Sequence, residues 1–216
     1  MITLAGASRG RPHHMARVID NALELASKDS NIEILIRLDE DDPALPQYLE
    51  SRIGERIYRV GPRLGRGAAR PINEMAMQAS GDLVMQLSDD QEFVTPDWNT
   101  LIENAAAPYE HIPTVFKLNE GRTKLENPVV NRAWLRHFGH LYPAEFSHLY
   151  SDTYVETIAT KANRLIPIPG VTILHHKMQY QDATSSEARI DAKADFQKFI
   201  QFKDLMDAQA SELAAL

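Results

Sequence analysis

Four short apolar runs in the first ninety residues each end in a charged or glycine-rich turn, and this alternation is the strongest constraint on how the chain can fold. Residues 2–5 run into SRGRP at 8–12. Residues 32–38 run into DEDDP at 39–43, residues 57–60 into GPRLGRGAARP at 61–71, and residues 83–87 into SDDQ at 88–91. Between the first two runs, Pro12 can open a helix, and Met15, Val18, Ile19, Ala22, Leu23 and Ala26 recur at helical spacing. Residues 45–53 read as a short helix and residues 72–79 as another. Strands that alternate with helices in this way predict an α/β fold, with a largely parallel twisted sheet covered by helices on both faces. The run at 32–38 is apolar nearly throughout, as expected of a strand covered on both sides.

In such a sheet, ligands bind beyond the carboxyl ends of the strands. The turns there carry Arg9 and Arg11, then Asp39 to Asp42, then three arginines among three glycines, then Asp89 and Asp90. Taken singly, each has an ordinary explanation: Asp favours turns through local hydrogen bonds, and acids and arginines decorate solvated loops. Adjacent aspartates repel each other unless a cation, a proton or donor groups offset the charge, and a divalent metal carrying a phosphate would do so. Guanidinium groups bind phosphates in a fork or stack on a base. The glycine-arginine loop is neither a Walker A sequence nor a GxGxxG turn. The coincidence of these turns at one sheet edge is far more specific than any one of them.

Composition narrows the classes. A chain of 216 residues with 44% hydrophobic and 25% charged residues fits one globular domain. The formal net charge of -7 argues against a general nucleic-acid binder. With no cysteine, disulfides and thiolate metal sites are excluded, leaving carboxylates, His and carbonyls as ligands. No apolar run approaches the length of a membrane span and MITLAGASRG lacks a leader pattern, so the chain reads as cytoplasmic.

Beyond residue 93, Thr95 is expected to cap a helix opened by Pro96, with Trp98, Leu101, Ile102 and Ala105 on its apolar face. Residues 114–118 read as a strand and residues 120–126 as a mobile polar loop near the site. Trp134, Phe138 and Tyr142 form an aromatic cluster suited either to the core or to a sugar-sized pocket. Ser151 and Asp152 open a helix, and residues 166–174 read as an edge strand, broken by Pro167 and Pro169, that ends in His175 and His176. Paired histidines beyond a strand can serve a metal, but without a helical i, i+4 partner they are a weak signal. Residues 186–216 read as one amphipathic helix that packs across the domain or mediates a homodimer.

The ordered series SRGRP, LDEDDP, the glycine-arginine loop leading to Asn73, ASGDLVMQLSDD, TPDWNTLI, SDTYVETIA and PIPGVTILHH resembles the GT-A glycosyltransferases, in particular family-2-like enzymes of bacteria and phages. The resemblance covers roughly residues 1 to 178. It implies a GT-A, Rossmann-like catalytic domain over residues 1–180, with a C-terminal helical extension at 181–216 packed on it. It implies a nucleotide-sugar donor, UDP-linked, with Mn²⁺ or Mg²⁺ as cofactor, and transfer to the hydroxyl of a glycan, lipid or small-molecule acceptor with inversion. By position, Ser8, Arg9 and Arg11 would touch the nucleotide. Asp39, with Asp41, would face base and ribose, and Arg66 or Arg70, near Asn73, would lie against base or diphosphate. LSDD looks like the DxD motif, although Ser88 and Gln91 stand where a strict spacing would place an acid; Asp89 would approach the ribose and Asp90 the metal, with His175 or His176 added. Asp152 looks like the family's general base. Two rivals stay open: a sugar nucleotidyltransferase, and a catalytically silent nucleotide-sugar-binding module.

Overall fold

The computed structural model describes residues 1–28, 31–50, 57–176, 186 and 189–216. Among these residues eight strands form one sheet in the order β3-β2-β1-β4-β7-β6-β8-β5. They are β1 (Ile2–Ser8), β2 (Ile32–Asp39), β3 (Tyr58–Gly61), β4 (Leu83–Leu87), β5 (Gln91–Phe93), β6 (Val115–Asn119), β7 (Val129–Asn131) and β8 (Leu165–His175). The first four are mutually parallel neighbours, and β6 runs parallel to β8. The short strands β5 and β7 are antiparallel to their neighbours. The α/β, mostly parallel architecture is the one the alternation predicts.

The chain steps outward from β1 to β2 to β3 and then returns to the opposite side of β1 as β4. This reversal makes the carboxyl end of β1 a switch point, where the loops after β1 and β4 diverge and leave a crevice.

Side-chain alternation along the strands divides the core in two. Leu4, Ile36 and Met85 point to one face and pack with α1 (Pro12–Glu24), Tyr48 of α2 (Leu45–Leu49) and Trp98 and Ile102 of α4 (Trp98–Ala106). Ala5, Leu35 and Val84 point to the other and pack with α3 (Ala69–Gln78), Trp134 of α5 (Arg132–Phe138), α6 (Ser151–Lys161) and α8 (Lys203–Ala214). Trp98 and Trp134 are buried, as core packing requires, and Trp98 also donates its indole N–H to the Ala22 carbonyl at 2.9 Å. Each burial of this kind contributes on the order of 2–3 kcal/mol.

Several local expectations are corrected. Thr95 does not cap α4: Asp97, in the left-handed region at φ 53°, occupies that position, and the Thr95 hydroxyl instead accepts the Thr172 N–H of β8. Helix α3 begins three residues before the expected start, at Ala69. Helix α2 ends at Leu49, and residues 51–53 of the expected helix lie outside the described residues. The loop at 120–126 is pinned, because buried Glu120 accepts the backbone N–H groups of Glu126 and Asn127 and the side-chain amide of Asn127. Within the described part of the expected C-terminal helix, α7 (Ala192–Gln201) and α8 are separate helices broken at Phe202. Residues 187–188, just after the expected start at Ser186, and the 180/181 boundary lie outside the described residues. Helix α8 packs on α6 through Met206, Ala210 and Leu213, and Tyr154 donates to Gln209 at 2.7 Å.

Candidate active site

A cleft of about 250 Å³ opens at the carboxyl ends of β1 to β4, at the switch point. Of the residues singled out by sequence, Ser8, Arg9, Arg11, Asp39, Arg66, Asp89, Asp90, Asp152 and His175 line it.

At the β1/β4 junction, Asp89 is held on both oxygens. The Ser8 hydroxyl donates to Oδ2 at 3.1 Å, and Arg11 donates to Oδ1 at 2.9 Å. Ser8 and the Arg11 backbone N–H are in turn fixed by the buried Tyr48 hydroxyl, at 2.8 and 2.9 Å. Burial pushes the Asp89 carboxyl above the ordinary range; Arg11 opposes the shift and the neighbouring Asp90 charge adds to it.

Asp90 has a different setting. Its Oδ1 lies 2.9 Å from His175 Nε2, while Nδ1 of the same ring lies 2.8 Å from Glu126. Burial works to raise the Asp90 carboxyl, yet the hydrogen bond and charge of His175 outweigh it and hold the group below the ordinary range. Strand β5 explains why this histidine reaches Asp90: it follows the two aspartates directly and pairs antiparallel with β8, with Gln91 opposite His175. The His176 backbone N–H donates to the Asp90 carbonyl at 2.9 Å. Because successive strand residues point to opposite faces, the His176 ring turns away from the cleft and pairs with Glu92 at 2.8 Å.

At the end of β2, Arg9 bridges Asp39 at 3.2 Å and Asp41 at 2.6 Å. Burial raises the Asp39 carboxyl against the pull of Arg9. Asp41 sits at the exposed margin and does not line the cleft. From the glycine-arginine loop, Arg63 and Arg66 line the cleft, and Arg63 lies 3.8 Å from Asp39. Arg70 does not; it points outward and donates to the Ala144 carbonyl at 3.1 Å. Asn73 does not line it either. Its amide clamps the backbone of the next segment, accepting from Leu141 and Tyr142 N–H and donating to the Tyr142 carbonyl. That clamp places Tyr142 at the cleft wall, where burial drives its phenol well above its usual pKa.

Asp152 enters from the second position of α6. It accepts the Thr153 N–H at 2.6 Å, which leaves the carboxylate at the helix start facing the cleft.

Sequence reading missed several cleft residues. Arg37 and Gln86 project from β2 and β4 on the same face as Leu35 and Val84, so period-two alternation carried to the strand ends would have found them. Arg37 is nearly buried and ties down the carbonyls of Gly61 and Pro62 at 3.0 and 2.7 Å, shaping the start of the glycine-arginine loop. Glu126 closes the 120–126 loop expected near the site, whereas His148 and Arg189 have no local sequence signal and are brought in by distant segments.

Asp90 and His175 present donors suited to the divalent cation the resemblance implies. The 2.9 Å between Asp90 Oδ1 and His175 Nε2 is the spacing of two adjacent ligands around an octahedral ion with bonds of about 2.1 Å. Glu126 on the far ring nitrogen supplies the outer carboxylate that orients a ligating histidine. Among the described residues no set of three His, Cys, Asp or Glu surrounds one point, so the remaining ligands would come from a phosphorylated ligand and water, as is usual for Mg²⁺-type sites. On these grounds the residues fit the group.

No protein-family model matches this chain, and no curated protein matches it in sequence. Solved structures do match in fold. A mannosyltransferase from Pyrobaculum calidifontis, in complex with GDP-Man and Mn²⁺, aligns with a TM-score of 0.65 at 15% identity, over 97% of this chain and 68% of its own. S. aureus TarS 1-349 in complex with UDP aligns with a TM-score of 0.59 at 13% identity, over 94% and 72%. The same protein in complex with UDP-GlcNAc aligns with a TM-score of 0.66 at 14% identity, over 96% of this chain and 65% of its own. The chain therefore shares the fold of these glycosyltransferases, and spans about two thirds of their length. Among its described residues no helix is long and apolar enough to cross a membrane.

Proposed function

We propose that this chain is a family-2-like glycosyltransferase that moves a sugar from a nucleoside-diphosphate donor, UDP-linked in the simplest reading, to an acceptor hydroxyl with inversion. The observation that carries this reading is the convergence, at the switch point of a glycosyltransferase fold, of Arg9–Asp39, Arg11–Asp89, Asp90–His175 and Asp152 around one cleft. Residues 1–180 then form the donor-binding domain and residues 181–216 an extension on it.

In this reading Asp39, with Arg9 and Arg63, receives the base and ribose at the β2 end. Asp89, fixed by Ser8 and Arg11, meets the ribose side of the donor. Asp90 and His175 would hold the divalent cation, which when bound neutralises charge on the diphosphate leaving group. Arg66 adds positive charge along the same wall. Asp152 accepts the proton of the acceptor hydroxyl as that oxygen attacks the face of the sugar opposite the leaving group.

The test is a thermal-shift screen of nucleotide sugars with and without Mn²⁺, followed by turnover assays on any ligand that raises the melting temperature. Metal-dependent release of nucleoside diphosphate, lost in Asp90→Ala, is the expected result. Release of pyrophosphate from a nucleoside triphosphate would reassign the chain as a nucleotidyltransferase. Binding without transfer to any acceptor would reassign it as a binding module.

A further inference from the structure

The mechanism above uses no residue of the C-terminal helices, yet one of them presents a fully buried carboxylate to the cleft wall. Asp195, on the first turn of α7, is 0% exposed and accepts three consecutive backbone N–H groups. Its Oδ1 takes Ser147 at 2.9 Å, and its Oδ2 takes His148 at 2.9 Å and Leu149 at 3.0 Å. A buried carboxylate is costly unless its oxygens are satisfied, and one that collects three main-chain donors fixes the conformation of the segment supplying them. That segment lines the cleft through His148 and Leu149. It is joined to the base by one short link: the His148 carbonyl accepts the Ser151 hydroxyl at 3.0 Å, Tyr150 adopts the left-handed region at φ 66°, and Asp152 follows.

Two further contacts point the same way. The Tyr150 ring stacks on Phe199 of α7, with centroids 5.5 Å apart and planes at 29°. On the opposite side, the Ser147 carbonyl accepts the Ala69 N–H at 3.3 Å and abuts Gly67, so the segment is held between α7 and the glycine-arginine loop.

We infer that Asp195 is a positioning residue for the transfer reaction: by gripping the main chain of residues 147–149 from the C-terminal helix, it sets the wall of the cleft from which Asp152 acts. This rests on the glycosyltransferase reading for its catalytic consequence, but not for the grip itself. An asparagine at 195 keeps the shape but turns one acceptor oxygen into a donor facing an N–H, so at least one of the three bonds is lost.

The experiment compares Asp195→Asn with Leu213→Ala, a core truncation on α8 that weakens C-terminal packing away from the cleft. Assayed below both melting transitions, Asp195→Asn is expected to lose kcat on the order of tenfold to hundredfold. Its donor KM should stay within about twofold, because the donor-binding ends of β1, β2 and β4 are untouched. Leu213→Ala should lower the melting temperature while keeping kcat. Amide hydrogen exchange should accelerate at 147–152 in Asp195→Asn, with α1 and α4 unchanged. Should Asp195→Asn fail to fold, Asp195→Glu, which keeps the charge but displaces the carboxylate by one methylene from the three N–H groups, is read by the same kcat and exchange measurements. Loss of activity that tracks melting temperature equally in both variants, or unchanged exchange at 147–152, overturns the inference. A wild-type protein that turns over no nucleotide sugar refutes the proposed function instead, and the exchange measurement still decides the grip.

Discussion

The tightest main-chain contact in the cleft gives the sharpest prediction. A Cβ added at Gly67 would stand 1.8 Å from the Ser147 carbonyl oxygen, 2.3 Å from its carbon and 2.9 Å from the His148 nitrogen. All three are backbone atoms of a segment fixed from the other side by Asp195, so no side chain can swing away to make room. Opening the closest approach from 1.8 Å to 3.0 Å requires the two loops to part by about 1.2 Å. Forced overpacking of this kind costs about 1–3 kcal/mol. For a chain of this size each kcal/mol lowers Tm by about 2–4 °C, so Gly67→Ala is expected to melt roughly 2–12 °C early. The displaced segment carries His148 and Leu149 and leads into Asp152, and a misplacement near 1 Å costs on the order of a hundredfold in turnover. The matched control is Gly170→Ala, where an added Cβ meets nothing within 4 Å and both Tm and turnover should stay at wild-type values. Calorimetry and steady-state kinetics on the three proteins decide the matter. A Gly67→Ala protein with wild-type Tm and kcat refutes the packing argument.

Four other outcomes are expected. Glu126→Gln removes the charge behind His175 while keeping the shape, and should weaken Mn²⁺ binding about 10- to 100-fold by calorimetric titration in the presence of nucleoside diphosphate; an unchanged Kd would remove Glu126 from the metal's outer shell. Asp152→Asn should bind donor with wild-type affinity and lose most turnover, so full turnover would eliminate it as the base. His176→Ala, whose ring pairs with Glu92 away from the cleft, should leave Mn²⁺ affinity unaltered, whereas His175→Ala should not. Glu33 offers a pH test: burial acts to raise its carboxyl, but bonds from the Thr3 hydroxyl and from the Ser80 N–H and hydroxyl win and hold it low. A depressed carboxyl contributes stability that is present above the ordinary Glu pKa and is lost as pH falls through its lower folded value. Glu33→Gln should therefore be less stable than wild type at pH 7, with the difference closing as pH falls through the lowered Glu33 value; a gap that persists in acid would contradict the linkage.

What could be read in the sequence followed from local physics. The apolar runs, the helical spacing of 15-18-19-22 and the charged strand ends each depend on residues close together, so the parallel half of the sheet and the Ser8, Asp39 and Asp89 positions were accessible. What escaped was set by distant pairing. Strands β5 and β7, three residues each, carry too little periodicity to be seen, yet β5 brings His175 to Asp90. Sequence alone left His175 and His176 equivalent; the register of a three-residue ladder separates them. Asn73 and Arg70 sat in the right stretch, but helix α3 turns them onto the backbone of 141–144. The break at Phe202 leaves no mark in the apolar pattern, because the helices on either side both keep an amphipathic face.

The two adjacent aspartates sit in different settings. Asp89, at 8% exposure, has both oxygens committed to groups of β1 and its loop, one of them an arginine whose charge already balances it. A cation arriving there would have to displace Arg11 or sit beside its positive charge, and either is unfavourable in a buried setting. Asp90 is paired directly with a histidine, with the Arg11 charge also favouring its ionised form, and a neutral imidazole can offer a lone pair to a cation. On the proposed reading Asp90 and His175 would hold the cation together, with Glu126 holding the remaining ring proton. Replacing His175 by Lys would keep a positive partner for Asp90 but offer no such lone pair. His175→Lys should therefore fold and pair with Asp90 yet lose Mn²⁺-dependent stabilisation by nucleoside diphosphate, and retention of that stabilisation would place the cation elsewhere in the cleft.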